Sequence, residues 1–122
     1  PLREKLQSTL DRQFGHADRR VMVTSGTSGG IVLAMMALVN PGDEILIFDP
    51  YFVMYQPLIQ AVGGTPVLID TYPDFAIDLG KIEAAVTDRT KLILLNNPNN
   101  PTGQMTPVNQ IEALAELAKQ MD

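Results

Sequence analysis

Two short stretches combine residue types and spacings that suit ligand chemistry. The first is Asn96-Asn97-Pro98-Asn99-Asn100-Pro101-Thr102-Gly103, which follows the apolar run Leu92-Ile93-Leu94-Leu95. Each proline fixes φ and pushes the residue before it out of the helical region, so the loop is stiff enough to aim one side chain. Asparagine suits that post, because its amide offers two donors and an acceptor and carries no charge. The second stretch is Ser25-Gly26-Thr27-Ser28-Gly29-Gly30, set between Val21-Met22-Val23-Thr24 and the apolar segment Ile31 to Val39. Glycines there let the backbone approach a ligand closely. Free amides and the dipole of a helix start favour an anion, so a phosphate belongs at this turn.

Spacing narrows the choice of phosphate. The turn holds no lysine, which argues against a nucleotide-triphosphate loop, and glycines at 26, 29 and 30 miss the Gly-x-Gly-x-x-Gly spacing of dinucleotide folds. Asp49, at the end of the next expected strand, stands where a ribose-binding acid would, so on this turn alone a dinucleotide site stays open. So does a purely structural glycine turn.

The asparagine octet resembles the Asn-Pro-Thr-Gly loop of the fold-type-I pyridoxal-phosphate (PLP) aminotransferases, aspartate-aminotransferase-like group. Ser25-Gly26-Thr27-Ser28 is similar to the turn with which that family grips the PLP phosphate, and the two motifs stand in the family's order. Asp49-Pro50-Tyr51-Phe52-Val53-Met54-Tyr55 resembles the family segment whose aromatic residue lies flat on the pyridine ring. The resemblance implies that Gly26, Thr27 and Ser28 face the phosphate, that Phe52 stacks on the ring, and that Asn100 donates to the ring phenolate oxygen. It also implies a cis Asn100-Pro101 bond. Many relatives carry tryptophan where Phe52 stands, and glycines at both 29 and 30 are not the family's commonest choice.

Carried further, the resemblance implies an enzyme with PLP as cofactor that moves an amino group between an amino acid and a 2-oxo acid. A homodimeric parent goes with it, and the absence of cysteine fits a reducing, cytoplasmic setting. A PLP-binding sensor domain of a transcription regulator and a PLP-dependent lyase are alternatives on the same scaffold. In the family, the Schiff-base lysine, the aspartate paired with the pyridine nitrogen and the arginine for the substrate carboxylate lie downstream of the final helix. No catalytic residue is therefore assigned. Residues 1–122 are expected to be a single partial domain, the first part of the PLP-binding large domain, inactive alone. Family strands supplied later in the chain lie between some of those supplied here, which implies open sheet edges.

The elements that must position these residues follow from periodicity. Leu2, Leu6, Thr9-Leu10 and Gln13-Phe14 recur at helical spacing up to a stop at Gly15. Val21 to Thr24 reads as a short buried strand, Ile31 to Val39 as a helix, and Glu44 to Phe48 as a second strand after the turn Asn40-Pro41-Gly42-Asp43. A helix is expected from Tyr51 to Ala61, ending at Gly63-Gly64. A third strand follows over Pro66 to Asp70, a loop over Thr71 to Ile77, a short helix around Leu79 to Val86, and a fourth strand at Lys91. The last helix carries Val108, Ile111, Leu114, Ala115 and Leu117-Ala118 as its apolar stripe. The alternation defines an α/β fold with a parallel-type sheet and right-handed crossovers.

Composition sets outer limits. A chain of 122 residues is long enough to bury a core. A formal charge of -5 leaves no basic footprint for nucleic acid or an anionic membrane. The longest apolar run is too short to span a bilayer. With no cysteine and one histidine, no thiolate or histidine-rich metal site is expected. His16 reads as an exposed link residue, and Lys5, Lys81, Lys91 and Lys119 as solvated surface charges. The chain opens at Pro1 rather than methionine, so it is read as a piece of a longer protein.

Overall fold

The computed structural model describes residues 1–15 and 18–120; His16 lies outside them. The described residues form five helices and three strands, alternating from α2 onward: α1 (Leu2–Phe14), α2 (Gly26–Leu38), β1 (Glu44–Asp49), α3 (Tyr55–Ala61), β2 (Thr65–Asp70), α4 (Leu79–Ala85), β3 (Thr90–Leu94) and α5 (Val108–Gln120). The strands form one parallel sheet in the order β2-β1-β3, with Ile47 opposite Leu68 on one side and Leu94 on the other. This is the expected α/β class. No helix among the described residues is long and apolar enough to cross a membrane.

β1 is paired along both edges and buried on both faces, which explains its unbroken apolar sequence Ile45-Leu46-Ile47-Phe48. Side chains alternate across a strand, so Ile45 and Ile47 pack with Met35 and Val39 at the end of α2 and with Tyr55 and Ile59 of α3. Leu46 and Phe48 point the other way, onto Ile69, Ile82 of α4, and Leu114 and Leu117 of α5. Two helices thus cover each face.

At the amino end of β1 the buried Glu44 anchors the turn before β3. Its carboxylate accepts from the Thr87 hydroxyl (2.6 Å) and from Arg89 Nε and Nη2 (3.0 and 2.5 Å), while its amide donates to the Arg89 carbonyl (2.8 Å). The Thr87 hydroxyl and the Arg89 guanidinium hold the carboxyl below its ordinary range, against the opposing effect of burial.

Several expectations need correction. Val21 to Thr24 is not a buried strand: it joins no ladder, and Met22 and Val23 are 66% and 54% exposed. A strand needs a neighbour for its backbone groups, and none lies beside this segment among the described residues. Instead the Val21 amide donates to Gln7 Oε1 at 2.7 Å. The helix expected from Ile31 starts at Gly26, so Thr27 and Ser28 belong to its first turn. Gly29 and Gly30 serve close packing there: a Cβ on Gly30 would sit 3.2 Å from Thr24 Oγ1, and one on Gly29 3.4 Å from Ser25 Cβ.

α3 begins at Tyr55, not Tyr51. Pro57 accounts for this, because a proline lacks the N–H that a helix interior needs and is tolerated only in the first turn. The stripe of α5 is narrower than expected. Leu114 and Leu117 are buried, whereas Val108, Ala115 and Ala118 are exposed.

Two outcomes test this packing. A Cβ at Gly64 would meet the Ile45 Cδ1 methyl at 2.7 Å, Ile59 Cγ2 at 3.1 Å and Val39 Cγ1 at 3.2 Å. Gly64→Ala should therefore destabilise the chain by about 1–3 kcal/mol of overpacking, and an unchanged denaturation midpoint would refute the packing described. Glu44, whose folded pKa is depressed, contributes stability that is present above its unfolded value of about 4.3 and lost as pH falls through the lower folded value. The gap in unfolding temperature between the chain and Glu44→Gln should be widest near neutrality and close in acid. A gap independent of pH would contradict the assignment.

Candidate functional site

The carboxyl ends of β1 and β3 lie side by side, and the chain leaves them in opposite directions. After β1 it turns through Pro50 to Met54 into α3, which covers one face; after β3 it runs through the asparagine loop to α5 on the other. Neighbouring loops that part in this way open a crevice, the usual ligand position in an open α/β sheet. A cleft of about 420 Å³ is found there. Gly26, Thr27 and Ser28 line it from the first turn of α2, Phe52 from the loop after β1, and Asn100 from the loop after β3. All five residues singled out in the sequence meet in one place, joined by Ser25, Ile31, Tyr55 and Asn96.

The wall formed by α2 is built to accept an anion. Ser25 occupies the N-cap position, but no side chain caps the helix start. The first amides of a helix have no intrahelical partner and carry its positive partial charge. Gly26 has φ +67, a conformation that glycine adopts without penalty, and its amide is already used, donating to the Thr24 carbonyl at 2.9 Å. Thr27 and Ser28, which line the cleft from this first turn, add hydroxyl groups to the wall. Among the described residues no lysine, arginine or carboxylate lines the cleft, so the attraction they offer comes from dipoles rather than from a counter-charge.

Across the cleft, three asparagines hold the loop that presents a fourth. Asn97 Oδ1 accepts from the Thr106 amide (2.9 Å). Asn99 Oδ1 accepts from the Thr102 amide and hydroxyl (3.3 and 3.1 Å), and its Nδ2 donates to the Pro50 carbonyl (3.2 Å), tying this loop to the one after β1. Asn96 Nδ2 donates to the Pro98 carbonyl (2.9 Å), while its Oδ1 accepts from the Asn100 amide and the Tyr55 hydroxyl, both at 3.1 Å. Gly103, at φ +74, closes the turn with its amide on the Asn99 carbonyl. The Asn100 carboxamide has no partner among the described residues and is left to the cleft. The Asn100-Pro101 bond is cis, as the resemblance implied, and so are Asn97-Pro98, Asp49-Pro50 and Tyr72-Pro73.

Phe52 and Tyr55 form the aromatic wall, their rings edge to face with centroids 5.7 Å apart and planes at 77°. Tyr55 is 7% exposed, and burial raises its phenol above the ordinary value, so the hydroxyl stays protonated and donates. Asn96 was not singled out in the sequence, although it opens the octet. Its place four residues before Asn100, with Pro98 between them to stiffen the turn, is the signal that could have found it.

Other candidates stand elsewhere. Asp49 does not line the cleft, and its carbonyl accepts from the Thr71 amide and hydroxyl, which leaves the dinucleotide reading without its acid. None of the four lysines lines the cleft either. Lys81 Nζ donates to the Asp70 carbonyl (2.8 Å), Lys119 pairs with Glu116 (2.6 Å), and Lys5 and Lys91 are exposed.

An uncapped helix start, an aromatic wall and an uncommitted neutral amide are grouped at the carboxyl ends of parallel strands in an α/β unit, an arrangement chemically suited to an anionic ring ligand. The chain belongs to the aminotransferase class I and II family, which matches residues 2–122. It is 37% identical over 126 residues to an aspartate aminotransferase of Sulfolobus acidocaldarius, covering 97% of this chain and 31% of that protein. It is 36% identical over 125 residues to the aspartate/prephenate aminotransferase of Thermus thermophilus, covering 99% and 32%. The solved N-succinyldiaminopimelate aminotransferase of Mycobacterium tuberculosis superposes with a TM-score of 0.88 at 34% identity, over 99% of this chain and 33% of that one. The chain therefore spans about a third of the length of the curated relatives it matches.

PLP, the cofactor that this family implies, fits the lining: a phosphate for the α2 start, a ring for Phe52 and a phenolate oxygen for the Asn100 amide. The strength of that fit follows from its parts. Dipole and amides at an exposed helix start are worth roughly 1–3 kcal/mol together, and stacking on Phe52 adds about 1 kcal/mol. Millimolar affinity requires about 4 kcal/mol. The 122-residue chain should thus hold added PLP weakly and reversibly, and borohydride reduction should leave every lysine without stoichiometric label. Stoichiometric labelling of one lysine would contradict the geometry.

Proposed function

We propose that this chain is the first part of the PLP-binding large domain of an aminotransferase, one that moves an amino group between an amino acid and a 2-oxo acid. The observation that carries the reading is the convergence of Gly26, Thr27, Ser28, Phe52 and Asn100 on one cleft from three separate stretches of sequence. Gly26, Thr27 and Ser28 would receive the phosphate, Phe52 one face of the ring, and Asn100 the phenolate oxygen. When bound, PLP supplies an electron sink for bonds at the substrate's α-carbon, while the protein supplies placement.

The same reading extends to the whole protein. It takes the parent to be a homodimer acting in the cytoplasm, with the Schiff-base lysine, the pyridine-nitrogen aspartate and the substrate-carboxylate arginine supplied by sequence after α5. Family membership supports this. So does the lining of the cleft, which among the described residues offers partners suited to phosphate, ring and phenolate but no cation for a substrate carboxylate and no lysine for covalent attachment.

The test is Asn100→Ala in the full-length parent. The variant should keep its PLP, because phosphate turn and ring stacking are intact. The pH midpoint of the bound cofactor's visible absorbance should rise by about one unit or more, since the phenolate loses a donor and its charge then holds the neighbouring proton more tightly. An unchanged midpoint in a spectrophotometric titration would rule out the contact.

A further inference from the structure

We infer that Asn96 is the positioning residue of this site: its carboxamide sets where Asn100 stands and registers it against the aromatic wall. The inference rests on the cofactor reading above. Asn96 Oδ1 receives two donors from two different elements, the Tyr55 hydroxyl of α3 and the main-chain amide of Asn100, each at 3.1 Å. Its Nδ2 donates to the Pro98 carbonyl at 2.9 Å, which fixes the amide's orientation and keeps the oxygen toward both donors. Tyr55 in turn meets Phe52 edge to face. A continuous path, Phe52 to Tyr55 to Asn96 to Asn100, thus joins the ring wall to the polar donor, although the two lie on loops that leave the sheet in opposite directions.

The path suits this task chemically. A carboxamide oxygen has two lone pairs and can accept both donors at once without a charge. A carboxylate in its place would set a negative charge within the cleft lining, where an anionic ligand is expected. The Asn100 side chain has no hydrogen bond of its own among the described residues, so its placement is decided by its backbone. Asn96 is the side chain that holds that backbone amide. Among the described residues lining the cleft Tyr55 is the one titratable side chain, and burial shifts its phenol further toward the protonated, donating form.

The experiment uses full-length holoprotein and reads two quantities besides activity: the pH midpoint of the bound cofactor's visible absorbance and the PLP dissociation constant. Asn96→Ala should move the midpoint in the same direction as Asn100→Ala and by no more, and should loosen PLP by roughly 2- to 10-fold, the range that one displaced hydrogen bond carries. Because Asn96 acts through the Asn100 side chain, Asn96→Ala added to Asn100→Ala should move the midpoint no further. A residue that merely stabilises the fold would lower the unfolding temperature and leave the midpoint alone. Asn96→Ala with an unshifted midpoint, or a shift fully additive in the double variant, would overturn the inference.

If Asn96→Ala does not fold, Tyr55→Phe decides. It removes one of the two donors to Asn96 and keeps the ring, so a partial shift of the same sign supports the inference and none overturns it. If Asn100→Ala itself leaves the midpoint unmoved, the cofactor reading fails and the inference falls with it. Failure of the positioning claim alone shows as a shift in Asn100→Ala that Asn96→Ala does not share.

Discussion

β1 is hydrogen-bonded along both edges and packed on both faces, and everything that matters at the site is measured from its carboxyl end. A strand held on four sides cannot shift register without taking its side chains off both cores at once. Ile45 and Ile47 lock it to α2 and α3, and Leu46 and Phe48 to α4 and α5. The point where the chain leaves β1 is therefore fixed, as is its distance from the end of β3. The crevice between the two departing loops is a consequence of topology before any side chain is considered.

Side chains then divide the work. The start of α2 offers dipoles and hydroxyls without charge, the loop after β1 offers an aromatic face, and the loop after β3 offers an amide. Four asparagines stand in that last loop, and three of them bond mainly to backbone: Asn97 to Thr106, Asn99 to Pro50 and Thr102, Asn96 to Pro98 and Asn100. The polar cost of a loop rich in backbone groups is met largely by these three side chains, which leaves Asn100 uncommitted. This explains why so many asparagines occur together where one would suffice for contact with a ligand.

Much of this was legible in the sequence. Strands β1, β2 and β3 show as apolar runs bounded by turn residues, and the five residues that the structure brings to one cleft stand out by type, order and resemblance. Local pattern could not show whether Val21 to Thr24 has a partner: the segment is apolar enough for a strand, but strand formation is a property of two segments. The starts of α2 and α3 were misjudged for different reasons. Glycines 26, 29 and 30 suggested a loop, whereas two of them permit helix packing against Thr24 and Ser25. Pro57 carried the correct start of α3, since it had to fall in a first turn. The Tyr55–Asn96 contact spans 41 positions and arises only when α3 and the loop after β3 are brought together by the sheet.

The account's central claim is that the α2 start, Phe52 and Asn100 form one cofactor site. A crystal structure of the full-length protein with PLP bound measures this most directly. The account predicts the phosphate at the first-turn amides of α2 with the Thr27 and Ser28 hydroxyls around it, the ring against Phe52, and the phenolate oxygen within hydrogen-bond reach of Asn100 Nδ2. A phosphate bound away from α2, or a ring that touches neither Phe52 nor Asn100, would contradict it.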